Sequence, residues 1–77
     1  MKPLPFKSAL VLGLGSSGEA AARLLLASGA EVCALDDSDT PAMRARCRAM
    51  ELAGARAICG TSAPPPGHFD VCVTSPG

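Results

Sequence analysis

The stretch Val11-Leu12-Gly13-Leu14-Gly15-Ser16-Ser17-Gly18-Glu19 constrains this chain more than any other. An apolar run meets glycines at 13, 15 and 18 and then gives way to Ala20-Ala21-Ala22. The G-x-G-x-x-G spacing predicts a strand, a tight turn and a helix. Gly13 allows a turn too sharp for a side chain, Gly15 lets the backbone approach a ligand, and Gly18 lets the helix pack closely on the strand. The first N–H groups of such a helix lack intrahelical partners and carry partial positive charge, so the turn suits an anion, most often a phosphate. Three glycines alone fit a tight turn with no ligand. Their context is the stronger signal, because an acidic residue should close the next strand about 20 residues further on. Asp36 does so, at the end of Val32-Cys33-Ala34-Leu35.

The rest of the chain continues the alternation of strand and helix. Ala9 to Leu12 is a continuous apolar run of the kind found in parallel strands covered on both faces. A first helix is expected from about Ser17 to Ala27, with Ser16 and Glu19 at capping-box spacing, Glu19 paired outward with Arg23, and Ala21, Leu24 and Leu25 facing inward. Gly29 stops it. The second strand, Glu31 to Leu35, leads into Asp36-Asp37-Ser38-Asp39, after which Thr40 as N-cap and Pro41 at the first helical position open a second helix reaching Leu52. Met43, Cys47 and Met50 share one face of it, as a core stripe would. Gly54 ends it, Ala57 to Cys59 is a short third strand, and Gly60 to His68 is a proline-bearing loop in which His68 has no evident partner. Phe69 is expected to fold back on the sheet before a fourth strand, Val71 to Thr74.

These elements make an α/β fold, a Rossmann-like open parallel sheet of four strands in the order 3-2-1-4, because right-handed crossovers put both helices on one face. The opposite face receives only the proline loop and Phe69. It is a candidate surface for missing elements or for self-association. With 77 residues the chain is one small domain, expected to be the front of a longer protein.

Seven basic residues balance seven acidic ones without forming a run, which argues against nucleic acid as a partner. No stretch has the length of a membrane span, and the proline-broken start does not read as a signal peptide, so a cytoplasmic protein is expected. Cys33, Cys47, Cys59 and Cys72 form no C-x-x-C pair, and no metal site is expected. Cys33, Cys59 and Cys72 fall in strands and read as small buried hydrophobes.

In an open sheet of this order, ligands bind beyond the carboxyl ends of the strands. The glycine turn with Ser16 and Ser17, the acidic cluster after the second strand, and Ser75-Pro76-Gly77 after the fourth all lie at that edge. A diphosphate on the helix N-terminus brings its nucleoside to Asp36 and Asp37, whose carboxylates accept from ribose hydroxyls or a base N–H and repel a 2′-phosphate.

The glycine turn with its following helix, Gly29-Ala30, Asp36 and the late Asp70-Val71-Cys72-Val73-Thr74-Ser75-Pro76-Gly77 together resemble the N-terminal domain of the bacterial Mur ligases. Among those ligases the similarity is to the ones that add D-glutamate to UDP-N-acetylmuramoyl-L-alanine. The resemblance implies a UDP-binding domain with Gly13, Gly15, Ser16, Ser17 and Gly18 at the diphosphate, Asp36 and Asp37 at the uridine, and Ser75, Pro76 and Gly77 on the far side of the nucleotide. It also implies an ADP-forming amide ligase whose ATP and magnesium are handled by a central ATPase domain and a C-terminal domain absent from this chain. No G-x-x-x-x-G-K-[ST] occurs here, so the chain is expected to bind and to contain no catalytic residue. Glu19 departs from the family, which commonly has an apolar residue there. The same glycines and Asp36 also fit an NAD-binding module, and a non-catalytic interaction domain is the third reading.

Overall fold

A computed structural model describes residues 5–74 of the chain. The elements follow in the order β1 (Ser8–Leu12), α1 (Ser16–Ala27), β2 (Glu31–Asp36), α2 (Pro41–Leu52), β3 (Arg56–Cys59) and β4 (Val71–Thr74). All pairings are parallel and the sheet order is β3-β2-β1-β4. Register places Leu10 beside Cys33 on one side and Cys72 on the other.

The pleat separates the strand residues into two sets. On the helical face Ala9, Val11, Val32 and Ala34 pack with Ala22 and Leu25 of α1 and Cys47 and Met50 of α2, and Met50 is fully buried. Burying side chains such as Leu25 and Met50 contributes roughly 1.5–3 kcal/mol each. On the opposite face Leu10, Cys33 and Leu35 form a smaller cluster against Leu12 and Phe69.

That second cluster corrects the expected bare face. Leu10, Cys33 and Leu35 are all buried, because the crossover that carries Phe69 lies over the central strands. Ile58 and Cys72, on the two outer strands, are exposed. Cys72 is therefore not the buried hydrophobe that its apolar neighbours suggest. Cys33 and Cys47 are buried, and burial pushes the Cys47 thiol up to about 11.

Two details of α1 also differ. Its buried residues are Gly18, Ala22 and Leu25, whereas Leu24 is half exposed and Ala21 only partly covered. The expected capping box does not form, because Gly15 takes the N-cap with extended backbone (φ −67°, ψ −176°) and Ser16 is already helical. Glu19 instead lies one position too far along. Its N–H makes the helix's first internal bond, to the Gly15 carbonyl at 2.9 Å. The start of α2 is as expected, with Thr40 Oγ1 accepting from the Met43 N–H at 3.1 Å and Pro41 opening the helix.

At the amino ends of the strands, Asp70 ties β4 to β1. Its Oδ2 accepts from the Lys7 N–H at 2.7 Å and the Ser8 N–H at 3.2 Å. His68, expected to be unpartnered, lies 3.1 Å from Asp70 Oδ1 on the surface. The amides of Lys7 and Ser8 together with His68 hold the Asp70 carboxyl below the usual carboxylate range.

Candidate functional site

The glycine turn is built by the chain's own hydrogen bonds. Gly13 has φ 95°, a conformation open to glycine, and its N–H donates to the Leu35 carbonyl at 2.7 Å. The Leu14 N–H donates to Asp36 Oδ2 at 2.8 Å, and the Leu14 carbonyl accepts from Arg46 Nη1 at 2.7 Å. Gly18 is pressed so closely on the turn that a Cβ would sit 1.8 Å from the Gly13 carbonyl oxygen. That contact is the close packing the spacing implied, with the turn itself as the partner.

Gly15 is different. A Cβ there would meet nothing within 4 Å, so its outer side is open. Among the described residues no side chain caps α1, and because the first internal bond comes from Glu19, the N–H groups of Ser16, Ser17 and Gly18 precede the helical ladder. These donors point out of the helix end, where the macrodipole adds positive potential.

Above the turn lies a cavity of about 570 Å³ at the carboxyl ends of β1 and β2. Its wall includes Gly13, Gly15, Ser16 and Ser17 from the turn, Asp36 and Asp37 from the acidic cluster, and Leu12 and Leu35 from the strand ends. Ser38, Met43, Thr61 and Ser62 complete it. The structure thus brings together all the expected residues within its range except Gly18, which supports the turn from beneath. Ser75, Pro76 and Gly77 lie outside the described residues.

Asp36 has a second task that its place in the sequence does not disclose. Its carboxylate is largely buried, with Oδ2 on the Leu14 N–H and Oδ1 on the Ser38 N–H, each at 2.8 Å. Burial alone would raise its pKa. The Leu14 and Ser38 donors and the nearby charge of Arg46 outweigh burial and hold it below the usual range. Each carboxylate oxygen still has a second lone pair to offer. Asp37 is exposed, while Asp39 turns away to Arg44 Nε at 2.7 Å.

Thr61 and Ser62 were not legible as site residues, since their approach depends on Thr61 N–H donating to the Asp36 carbonyl at 3.1 Å across the sheet. Arg46 was also missed. It joins Arg23 on the Glu19 carboxylate, with Arg23 Nε at 3.0 Å and Arg46 Nε at 3.3 Å, so the charge of Glu19 is directed away from the cavity. Among the described residues no lysine or arginine lines the cavity and no helix is long and apolar enough to cross a membrane.

No protein-family profile matches the chain. It is similar to UDP-N-acetylmuramoylalanine–D-glutamate ligase of Frankia casuarinae, at 43% identity over 88% of the chain and 14% of that protein. The ligase of the same name from Thermobifida fusca is 40% identical over 87% of the chain and 14% of its own length. That from Geobacillus kaustophilus is 36% identical over the whole chain and 18% of its own length. The chain thus spans less than a fifth of these curated relatives.

Proposed function

The chain is homologous to a segment of the UDP-N-acetylmuramoylalanine–D-glutamate ligases, and from that premise we propose that it is the UDP-binding N-terminal domain of such an enzyme. The parent would join D-glutamate to UDP-N-acetylmuramoyl-L-alanine in peptidoglycan biosynthesis, in the cytoplasm. The observation that carries this reading is the cavity set between an uncapped helix N-terminus and the acidic end of β2.

The diphosphate accepts from the N–H groups and hydroxyls of Ser16 and Ser17, over the open side of Gly15. The helix dipole provides the positive potential that the lining otherwise lacks. Asp36 and Asp37 accept from the ribose hydroxyls or the uracil N–H, and by the resemblance Ser75, Pro76 and Gly77, outside the described residues, are further nucleotide contacts. Gly13 and Gly18 shape the turn. No step of bond formation is assigned to these residues. ATP and magnesium belong to parts of the parent beyond this chain, since its sequence has no phosphate-loop lysine pattern. Holding the UDP end still aids the reaction, because remote binding fixes where the reacting carboxylate lies.

The test is an NMR titration of the isotope-labelled chain with UDP and, separately, with NADH. Shifts at the amides of Gly13 to Gly18, Asp36 and Ser75 with UDP alone are expected. Shifts with NADH alone would replace this reading with a dinucleotide-binding one.

A further inference from the structure

We propose that Arg46 is a positioning residue for the diphosphate subsite, clamping the glycine turn from behind without touching the ligand. The inference rests on the UDP-binding reading of the cavity and adds to it a residue on the other helix.

Leu14 lies at the centre of the turn and is held from both sides. Its N–H is fixed by Asp36 Oδ2 at 2.8 Å and its carbonyl by Arg46 Nη1 at 2.7 Å. Both contacts involve a charged partner, which makes them stronger and more directional than neutral ones. Arg46 Nε is occupied in turn by Glu19 at 3.3 Å, one turn into α1. A single guanidinium on α2 thereby joins the turn to the helix whose N-terminus faces the cavity. The orientation of the Leu14 carbonyl fixes the peptide that leads into Gly15, and hence where the following N–H groups point. Without Arg46 that carbonyl has no partner among the described residues other than water, and the peptide is free to rotate. Uridine is recognised at the end of β2, where the Ser38 N–H still holds Asp36 Oδ1 at 2.8 Å, and so depends on that rotation less than the diphosphate does.

The experiment compares wild type, Arg46→Lys and Arg46→Met by following UDP and uridine titrations in NMR spectra, together with amide hydrogen exchange of the free proteins. Arg46→Met is expected to weaken UDP about tenfold, the scale of one charge-assisted hydrogen bond, while uridine affinity stays within about twofold. Arg46→Lys, which keeps one charged donor, falls between, and decides the case if Arg46→Met does not fold. In the free variants the Leu14 amide exchanges faster while those of Val32 and Ala34 do not. Equal loss of UDP and uridine would make Arg46 merely structural and overturn the proposal, as would unchanged UDP affinity. A wild-type chain that binds neither ligand overturns the UDP reading itself. In that event, faster exchange at Leu14 would retain the clamp only as architecture, and the positioning role would fall.

Discussion

The two helices begin at equivalent places, each just beyond the carboxyl end of a strand, yet their first turns are finished differently. Helix α2 is closed by its own sequence, through Thr40 Oγ1 on the Met43 N–H and Pro41 where no donor is needed. Helix α1 starts from Gly15, which has no side chain to cap it, and leaves its donors beside the cavity. A helix end that serves only the fold satisfies itself. The open end of α1 is supported from below instead, by Gly18, Asp36 and Arg46, so that its outer side remains free.

Breaking that support should have the largest effect. Gly18→Ala puts a Cβ against the Gly13 carbonyl, which cannot yield without moving the turn. A loss of at least about 2 kcal/mol is expected in chemical denaturation, with UDP binding abolished. Asp36→Asn comes next. One of the two amides on the carboxylate would face an NH2 group, at a cost of about 1–3 kcal/mol. Because Asp36 is held below the ordinary value of 3.8, its contribution is fully present above that pH and is lost as pH falls through the lowered folded value. The stability gap between wild type and Asp36→Asn should therefore be constant near neutral pH and narrow in acid.

Gly15→Asp gives α1 the kind of side-chain cap that α2 has. The backbone there is already extended and the space is open. Stability should rise by a few tenths of a kcal/mol, while UDP affinity falls at least about tenfold because a carboxylate takes the phosphate's donors. Thr40→Ala makes the opposite exchange. It should cost about 1 kcal/mol in thermal unfolding and leave UDP affinity unchanged, since Thr40 is not in the cavity wall.

The fold was legible because its punctuation is local. Gly13, Gly29, Thr40-Pro41 and Gly54 mark element ends, and four apolar runs between them leave one right-handed arrangement. The phase of α1 was not legible. Apart from Arg23 and Ser28 beyond its end, the helix from Ala20 to Ala27 is apolar, so periodicity does not decide between Ala21 and Ala22, and the close seating of Gly18 does. Cys72 shares a face with the buried Leu10 but is exposed because β4 is an outer strand, a position that its residues do not encode. In the site, the turn and Asp36 could be read from spacing. Arg46, Thr61 and Ser62 reach it through contacts between distant segments, for which a single sequence carries no signal.

Whether the open end of α1 holds a diphosphate is decided by a crystal structure of the chain with UDP. Phosphate oxygens are expected about 3 Å from the amide nitrogens of Ser16 and Ser17, with the uridine lying toward Asp36 and Asp37. A diphosphate bound elsewhere, with the turn above Gly15 left to solvent, would rule out the open helix end as the phosphate site.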